Sequence, residues 1–360
     1  MMMFHHLVIV FCAKYFCYFG NLLYLSPKLI TMKRLFLFIV HVAGFISLLA
    51  QPLPTGNSKD FKVKTCLHSI GYSGLWRGQA TLTVDEFLVK AKDLGYNGVV
   101  LMAKRPHLSP LDYDKEARAK LKKRIADLGL TLVGLASYSD FTTGLDKTGI
   151  PHTEIQAAYL GQIAELAADL GTNIVRIFTG YERSGVPYDR QYAMVVEGIR
   201  LAAQQAQKYG VTIVVQNHHD IALHHDEMYW LMQDVNMSNV KVGWDAWSPN
   251  LAGLSKEEIK ASIYKLKPYI AMTIAADYVA MPRIHYENSL TNYIPQTPVM
   301  RATQMGKGII DYDTFFLTLK EIGYQGYLVY EMCEVLEGGG SIQNLDYTAK
   351  EFLKFVEKFR

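Results

Sequence analysis

Cysteine is scarce in this sequence, and its scarcity excludes one class of fold. The 360 residues include four cysteines, and Cys12 and Cys17 lie in a hydrophobic N-terminal region, so that Cys66 and Cys333 are left for the rest of the chain. Two cysteines are too few for a scaffold held together by disulfides. In an exported protein they could form one bridge if the fold brings them together, or they could be two isolated buried thiols. Both alternatives stay open.

An excess of basic charge is also missing from most of the chain. The formal charge of +3 comes from the first fifty residues, which contain basic side chains but no Asp or Glu. These basic residues are Lys14, Lys28, Lys33 and Arg34. Without them the chain is slightly acidic, and it has no electrostatic footprint for nucleic acid. We therefore predict that nucleic acid is not a partner.

The N-terminal region has the pattern of a targeting segment. A basic start at Met32 is followed by the apolar run LFLFIVHVAGFISLLA, which is typical of a secretory signal peptide. We predict a signal peptide at 32–50, a spacer at 51–60, and an upstream extension at 1–31 that is not part of the native protein. The alternative is a membrane anchor built from two apolar stretches in tandem. Cleavage would leave no stable membrane insertion and an exported, periplasmic protein.

From residue 61 onwards, short apolar runs alternate with longer segments of helical period. The runs are FKVKTCL, GVVLM, TLVGLAS, NIVRIFTG, VTIVVQN, VKVGWD, IAMTIAAD and GYLVYEM. Continuous Val, Ile and Leu runs are typical of parallel strands that are covered on both faces. A doubly wound sheet would need a glycine-rich phosphate turn, and HSIGYSG after the first run lacks that spacing. Eight strand–helix units predict an α/β fold, a single-domain (β/α)8 TIM barrel over 61–360.

Polar residues follow the predicted strands, and in a TIM barrel the active site lies at these C-terminal strand ends. The residues expected to meet there are His68, Lys104, Arg105, His107, Tyr138, Asp140, Glu182, Gln216, Asn217, His218, His219, Asp245, Trp247, Asp277, Glu331 and Glu334. We expect His224 and His225 to be solvated surface residues. The segment that begins at Asp277 and contains Arg283 and His285 is too long for a plain connection, which predicts a lid or a substrate wall.

Four segments resemble the xylose isomerase-like TIM-barrel superfamily of sugar phosphate isomerases and epimerases and AP endonuclease family 2-like proteins. VTIVVQNHH is similar to its strand end LALENH, and VGWDAWSPNLAG is similar to its D-x-x-H segment. GKGIIDYDTFFLTLKEIGYQGYLVYEM resembles its final module, and AKRPHLSPLDY resembles the RPH loop of some members. The resemblance covers nearly all of residues 61–359.

The resemblance implies a divalent metal, Mn²⁺ or Mg²⁺ with Zn²⁺ or Co²⁺ as alternatives, held by Glu, Asp, His and Glu at the ends of strands five to eight. Asp245 and Glu331 match this pattern. Gln216 replaces the first glutamate, strand seven contains no histidine, and Ser248 replaces a further histidine of the family. We expect His218 to complete a ligand set with Gln216, Asp245 and Glu331. Because glutamine brings no charge and cannot act as a base, such a site would bind metal more weakly.

The same resemblance implies a sugar isomerase or epimerase that moves protons next to a carbonyl group. The predicted catalytic residues are Glu331, His218 and Gln216. The predicted substrate-binding residues are Lys104, Arg105, His107, His219, Trp247, Asp277, Arg283 and His285. A small-molecule sugar is the expected partner, and a homo-oligomer stays open.

Other functions of the same fold stay open. One is a lyase or hydratase that acts on a keto-sugar such as a 3-keto-glycoside and needs a single carboxylate base. Another is a non-catalytic sugar-binding barrel with a degenerate metal site. A third is a glycosidase-like pair of carboxylates, in which Glu182 acts with Glu331 or Asp277.

Overall fold

Eight parallel strands close into a barrel in the computed structural model, which describes residues 61–145, 149–218 and 220–360. The barrel strands are β1 (Lys64–His68), β2 (Gly98–Met102), β3 (Thr131–Ala136), β4 (Ile174–Ile177), β5 (Thr212–Gln216), β6 (Val240–Asp245), β7 (Ile270–Ala275) and β10 (Tyr327–Tyr330). Each strand pairs with the next along the chain, and β10 pairs with β7 on one side and β1 on the other. The predicted TIM barrel is confirmed.

Helices lie between the strands around the barrel. They are α1 (Val84–Leu94), α2 (Lys115–Asp127), α3 (His152–Leu170), α4 (Tyr188–Gln207), α5 (His225–Val235), α6 (Trp247–Leu251), α7 (Lys256–Leu266), α8 (Tyr312–Glu321) and α9 (Ile342–Glu357). The signals that predicted α1 act as expected. Thr83 and Glu86 form a reciprocal capping box at its start, and Gly95 ends it in the left-handed conformation, with φ of 93°. Among the described residues, no helix is long and apolar enough to cross a membrane.

The strands are buried on both faces, as their continuous apolar sequences require. Every residue of β2 is buried, because alternate side chains face the barrel interior and the surrounding helices. Cys66 lies buried on β1, while Cys333 follows β10 and is half-buried. Both are free thiols, and burial raises the pKa of each. Of the two alternatives for the cysteines, the structure shows the unpaired one.

The long segment after β7 forms an antiparallel hairpin that lies outside the barrel sheet. Its strands are β8 (Asp277–Glu287) and β9 (Asn292–Thr303). Most of its residues are exposed, and the buried ones lie at the start of β8 and the end of β9. The predicted signal peptide, spacer and upstream extension lie outside the described residues.

Candidate active site

Five polar side chains lie buried at the C-terminal end of the barrel. His68 comes from β1, Arg176 from β4, Gln216 from β5 and Asp245 from β6, and Glu331 directly follows β10. Each has at most 2% of its surface exposed. Buried charges are stable only when paired and hydrogen-bonded, so the contacts among these residues define what the site can do. We call these five residues the polar layer.

One carboxylate oxygen of Glu331 is held by two donors. Arg176 Nη2 lies 2.9 Å from Glu331 Oε1, and His68 Nε2 lies 3.3 Å from the same atom. The backbone N–H of Ile70 donates to His68 Nδ1 at 3.0 Å. Burial, followed by the charge of Arg176, lowers the pKa of His68 well below its ordinary value. The imidazole is therefore neutral, and because Nδ1 accepts from Ile70 its one proton is on Nε2, which lies beside Glu331 Oε1.

The guanidinium of Arg176 is held by contacts on several sides. Nη1 donates to the carbonyl of Ser137 at 3.3 Å, and the group faces the ring of Phe178 with 4.2 Å between its Cζ and the ring centroid. Nη2 also lies 3.2 Å from His68 Nε2. Because both of these nitrogens carry hydrogen, that contact is not a hydrogen bond. Outside the polar layer, the guanidinium also interacts with the Tyr138 hydroxyl.

The Gln216 amide lies between the two buried carboxyl groups. Its Nε2 donates to Asp245 Oδ2 at 2.9 Å, and the side chain also interacts with the carboxyl of Glu331. Ser248 donates to Asp245 twice, from its N–H to Oδ1 at 2.8 Å and from its hydroxyl to Oδ2 at 3.1 Å. Gln216 Oε1 and Glu331 Oε2 are buried and have no hydrogen-bond partner among the described residues. The Glu331 carboxyl also interacts with the Cys333 thiol and the Gln216 amide, but neither makes a close hydrogen bond to Oε2.

The two buried carboxyl groups are coupled through a shared proton. Burial, with a smaller contribution from the nearby Glu331, raises the pKa of Asp245 to about 7. Burial also raises the pKa of Glu331, against the opposing charge of Arg176. Two neighbouring buried carboxyls titrate as a coupled pair that shares a proton near neutral pH. The Gln216 amide, which donates to Asp245 and interacts with the Glu331 carboxyl, lies between the two groups that share the proton.

The four-ligand metal centre implied by the resemblance fits this donor set poorly. Both oxygens of Asp245 already accept hydrogen bonds, Gln216 adds no charge, and Glu331 is neutralised by Arg176. The last residue of β7 is an alanine, which cannot coordinate a metal. His218 Nδ1 lies 3.0 Å from the Ser248 hydroxyl rather than in the polar layer. The structure therefore argues against the predicted ligand role of His218, and no step below passes through a metal.

Aromatic side chains form a continuous series next to the polar layer. The rings of Tyr138, Phe178, His218, Trp247 and Tyr278 follow one another with centroid distances of 5.7, 5.1, 6.1 and 6.0 Å. Tyr138 and His218 are half-buried, so they mark the accessible rim of the site. The Tyr138 hydroxyl is buried, makes no close hydrogen bond among the described residues, and interacts with the guanidinium of Arg176. It adds a hydroxyl group that a ligand can bind.

Lys104 lies at the same rim. Its ammonium stands 3.6 Å from the centroid of the Tyr138 ring, and the side chain is half-buried. Burial lowers its pKa, as does the nearby Arg176. The structure thus brings Lys104 and Trp247, two of the predicted substrate-binding residues, to the mouth of the barrel.

Two residues of the RPH loop lie elsewhere, which corrects their predicted role. The side chain of Arg105 is 71% exposed and its Nε donates to Asp112 at 2.7 Å. His107 is buried, with Nδ1 2.9 Å from the Ser69 hydroxyl and Nε2 3.0 Å from the Leu82 carbonyl. Arg105 therefore makes a surface ion pair, and His107 joins two segments of backbone. Neither side chain belongs to the polar layer.

The predicted residues of the hairpin are also placed away from the polar layer. Asp277 accepts backbone N–H groups from Gly306 and Gly308 at 2.9 and 2.8 Å, so its carboxylate orders the loop after β9. Arg283 and His285 are exposed on β8. Asp277 is thus engaged by backbone, and Arg283 and His285 lie on the exposed part of the hairpin, so none of the three belongs to the polar layer. His219, also predicted to bind substrate, lies outside the described residues.

The glycosidase-like alternative loses its pair of carboxylates. Glu182 is exposed, and its backbone N–H donates to Asp220 at 2.9 Å. Of the two histidines expected at the surface, His224 is half-buried and caps the start of α5 by accepting the N–H of Asp226 at 3.2 Å, whereas His225 is buried, so the expectation is wrong for His225.

Sequence reasoning missed Arg176, although the sequence carries a signal for it. Arg176 lies within the apolar run NIVRIFTG, and a charged residue inside a buried strand requires a buried partner. His68 was expected at the mouth but without a stated role. The structure gives both residues the same task, which is to hold one oxygen of Glu331.

Asp245→Asn is expected to change how stability depends on pH. Because folding raises the pKa of Asp245 to about 7, its contribution to stability is complete below the unfolded pKa of about 4 and is lost as the pH rises through 7. The difference in unfolding free energy, wild type minus variant, should fall by about 2 kcal/mol between pH 5 and pH 8. Thermal denaturation of both proteins across this range measures it. A difference that does not change with pH would contradict the assignment.

Comparison with known proteins agrees with the fold. The family model described as xylose isomerase-like TIM barrel matches residues 88–356. No curated protein matches the sequence. Among solved structures, L-ribulose 3-epimerase superposes with a TM-score of 0.62 at 18% identity, over 82% of this chain and 94% of that one.

Two further solved structures share the fold. D-psicose 3-epimerase from Clostridium cellulolyticum H10, solved with D-tagatose, has a TM-score of 0.61 at 16% identity, over 82% of this chain and 99% of that one. The probable 3-DHS dehydratase AsbF from Bacillus anthracis has a TM-score of 0.61 at 16% identity, over 81% and 99%. Structures of this fold thus include sugar epimerases and a dehydratase. Because the family model covers most of the chain, this protein belongs to the xylose isomerase-like TIM barrel family.

Proposed function

We propose that this protein is an enzyme that moves a proton on a carbon next to the carbonyl group of a sugar or keto-sugar. Glu331 takes and returns that proton. The observation that carries the proposal is Glu331 Oε2, a buried oxygen without a partner, on a carboxyl whose other oxygen is fixed by Arg176 and His68. A carboxyl with a raised pKa and a fixed orientation is suited to general acid–base catalysis near neutral pH.

The remaining unsatisfied groups suit a polyhydroxylated ligand. Gln216 Oε1 can accept a hydrogen bond, while the Tyr138 hydroxyl can donate one. A sugar hydroxyl does both, and the adjacent aromatic rings offer apolar faces for its C–H groups. The predicted export would expose the protein to free sugars and glycoside fragments rather than to phosphorylated intermediates.

The proton transfer begins with Asp245 protonated and Glu331 ionised. Glu331 Oε2 removes the proton from the carbon next to the carbonyl, and the electron pair of that bond forms an enolate. Return of the proton to the former carbonyl carbon gives the isomer, while the proton of the neighbouring hydroxyl passes to the enolate oxygen. Return to the opposite face of the first carbon gives the epimer and needs a donor other than Glu331. Asp245 holds the second proton, and the Gln216 amide lies between it and Glu331. The coupled pair can therefore take up and release one proton during the reaction.

A lyase or hydratase is the second candidate, and Gln216 favours it. Inversion by two opposed bases needs a second carboxylate facing the substrate, whereas Gln216 occupies that position and cannot act as a base. Elimination from a keto-sugar needs one base and a leaving group on the next carbon. The enolate formed by Glu331 would then expel that group.

Incubation of the protein in D₂O with ketoses and 3-keto-glycosides tests the proposal. We expect deuterium to appear on a carbon next to the carbonyl, as followed by NMR. Deuterium with an intact skeleton supports the isomerase or epimerase form, and an unsaturated product supports the lyase. Sugar binding without exchange or product would overturn the proposal in favour of the non-catalytic binding barrel.

A further inference from the structure

We propose that Arg176 supplies the positive charge that stabilises the enolate oxygen, so that the reaction needs no divalent metal. This inference rests on the proposed function. The carbonyl oxygen of the substrate accepts a hydrogen bond from Arg176 while Glu331 removes the proton from the neighbouring carbon. Arg176 is thereby a catalytic residue as well as the partner of Glu331.

The first argument is that the guanidinium of Arg176 places an N–H donor beside the Glu331 carboxyl. Its Nη2 donates to Glu331 Oε1, and the neighbouring His68 Nε2 is itself a donor, so the further group that interacts with the guanidinium is the Tyr138 hydroxyl outside the polar layer. Glu331 Oε2 is an acceptor without a donor among the described residues. The two groups belong to one ion pair, with 2.9 Å between Nη2 and Oε1. A substrate with a C–H next to a carbonyl matches this pair, because its carbonyl oxygen can accept from Arg176 while its C–H proton faces Glu331 Oε2.

The proton and the electron pairs of this step balance. The C–H proton moves to Glu331 Oε2, the electrons of the C–H bond form a carbon–carbon double bond, and the carbonyl π electrons move to oxygen. The oxygen gains a negative charge beside the guanidinium of Arg176. The return of the proton reverses these changes, so no oxidant, reductant or co-reactant is required.

The second argument is preorganisation. The guanidinium is held by the Ser137 carbonyl and by Glu331, and its Cζ lies 4.2 Å from the Phe178 ring centroid and 5.2 Å from that of Tyr138. Arginine stays protonated at all relevant pH values. A fixed charge in a site excluded from water stabilises a developing oxyanion more strongly than the same charge in solvent.

The third argument is the altered donor set. A cation bound between Gln216 Oε1 and Glu331 Oε2 would lie close to the guanidinium, which already neutralises Glu331. Like charges at such a distance repel strongly in a buried site. Two features of the site therefore agree with each other. Arg176 supplies a fixed positive charge in place of a metal, and Gln216 stands where a metal-binding carboxylate would be needed only if a metal were bound.

The test compares metal-depleted wild-type protein with two Arg176 variants, using the substrate found by deuterium exchange. After dialysis against EDTA, with residual metal measured by elemental mass spectrometry, the wild type should keep its exchange rate within about twofold, and Mn²⁺ or Mg²⁺ should not raise it. Arg176→Gln should lower kcat by about 100- to 1000-fold, as for loss of an oxyanion donor. Arg176→Lys, which keeps the charge, should be at least about tenfold faster than Arg176→Gln.

A binding measurement separates this role from a structural one. The alditol made by borohydride reduction of the substrate has no carbonyl, so both variants should bind it within about threefold of wild type in calorimetry. Loss of exchange in EDTA with recovery on Mn²⁺ would overturn the inference while the proposed function stands. Equal rates for the two variants, or an equal loss of alditol binding, would also overturn it. If neither metal-free nor metal-supplemented wild type exchanges deuterium, the proposed function itself fails.

Discussion

Glu331→Gln is expected to slow deuterium exchange about 1000-fold or more while the protein stays folded. The amide has nearly the same shape as the carboxyl but cannot accept and return a proton, and general acid–base catalysis by one positioned group contributes about 100- to 10,000-fold. Its oxygen can still accept the hydrogen bond from Arg176. Exchange measured by NMR with saturating substrate, together with circular dichroism, checks both parts of the expectation.

Glu334→Gln is the matched control for this substitution. Glu334 lies three residues further along the same loop, is half-buried, and lies 3.6 Å from Arg301 rather than in the polar layer. Its loss of charge should leave exchange within about twofold of wild type. A Glu331→Gln protein that exchanges deuterium within tenfold of wild type would remove Glu331 from the proton transfer.

Arg176→Met is expected to cost about 3–5 kcal/mol of unfolding free energy, because it leaves the Glu331 carboxylate buried without its cation. The double variant with Glu331→Gln should recover part of this loss, since a neutral amide is less costly to bury than an unpaired carboxylate. Denaturation in urea of wild type, both single variants and the double variant gives the coupling energy of the pair.

Arg105→Met serves as the control for this cycle. Arg105 is also paired with a carboxylate, that of Asp112, but its side chain is 71% exposed. Surface ion pairs are worth about 0–1 kcal/mol, so its loss should be small. If Arg176→Met destabilised the protein no more than Arg105→Met, the buried ion pair would not hold Glu331 in place.

The barrel could be predicted because apolar runs and helical segments alternate without interruption from residue 61 onwards. The β8–β9 hairpin could not, because its strands contain no continuous apolar run. Pro282, Pro295 and Pro298 interrupt them, and most of their side chains are exposed. An exposed two-stranded hairpin buries no face, so it leaves no periodic signal in the sequence.

The proximity of Gln216, Asp245 and Glu331 follows from their places at strand ends, since parallel strands of a barrel all end at one mouth. The role of Arg176 does not follow, because both faces of a barrel strand are buried and sequence alone cannot tell which one faces inward. The local partners of Arg105 and His107 were equally hidden. Each side chain turns to a neighbour that sequence spacing does not identify.

Solvent deuterium exchange by metal-depleted protein, measured side by side for wild type and Glu331→Gln, tests the roles of Glu331 and Arg176 most directly. We expect exchange next to the carbonyl in the wild type in the presence of EDTA, and loss of that exchange in the variant. Equal exchange in the two proteins would contradict the central role of Glu331. Exchange by the wild type that appears only after a divalent metal is added would contradict the role given to Arg176.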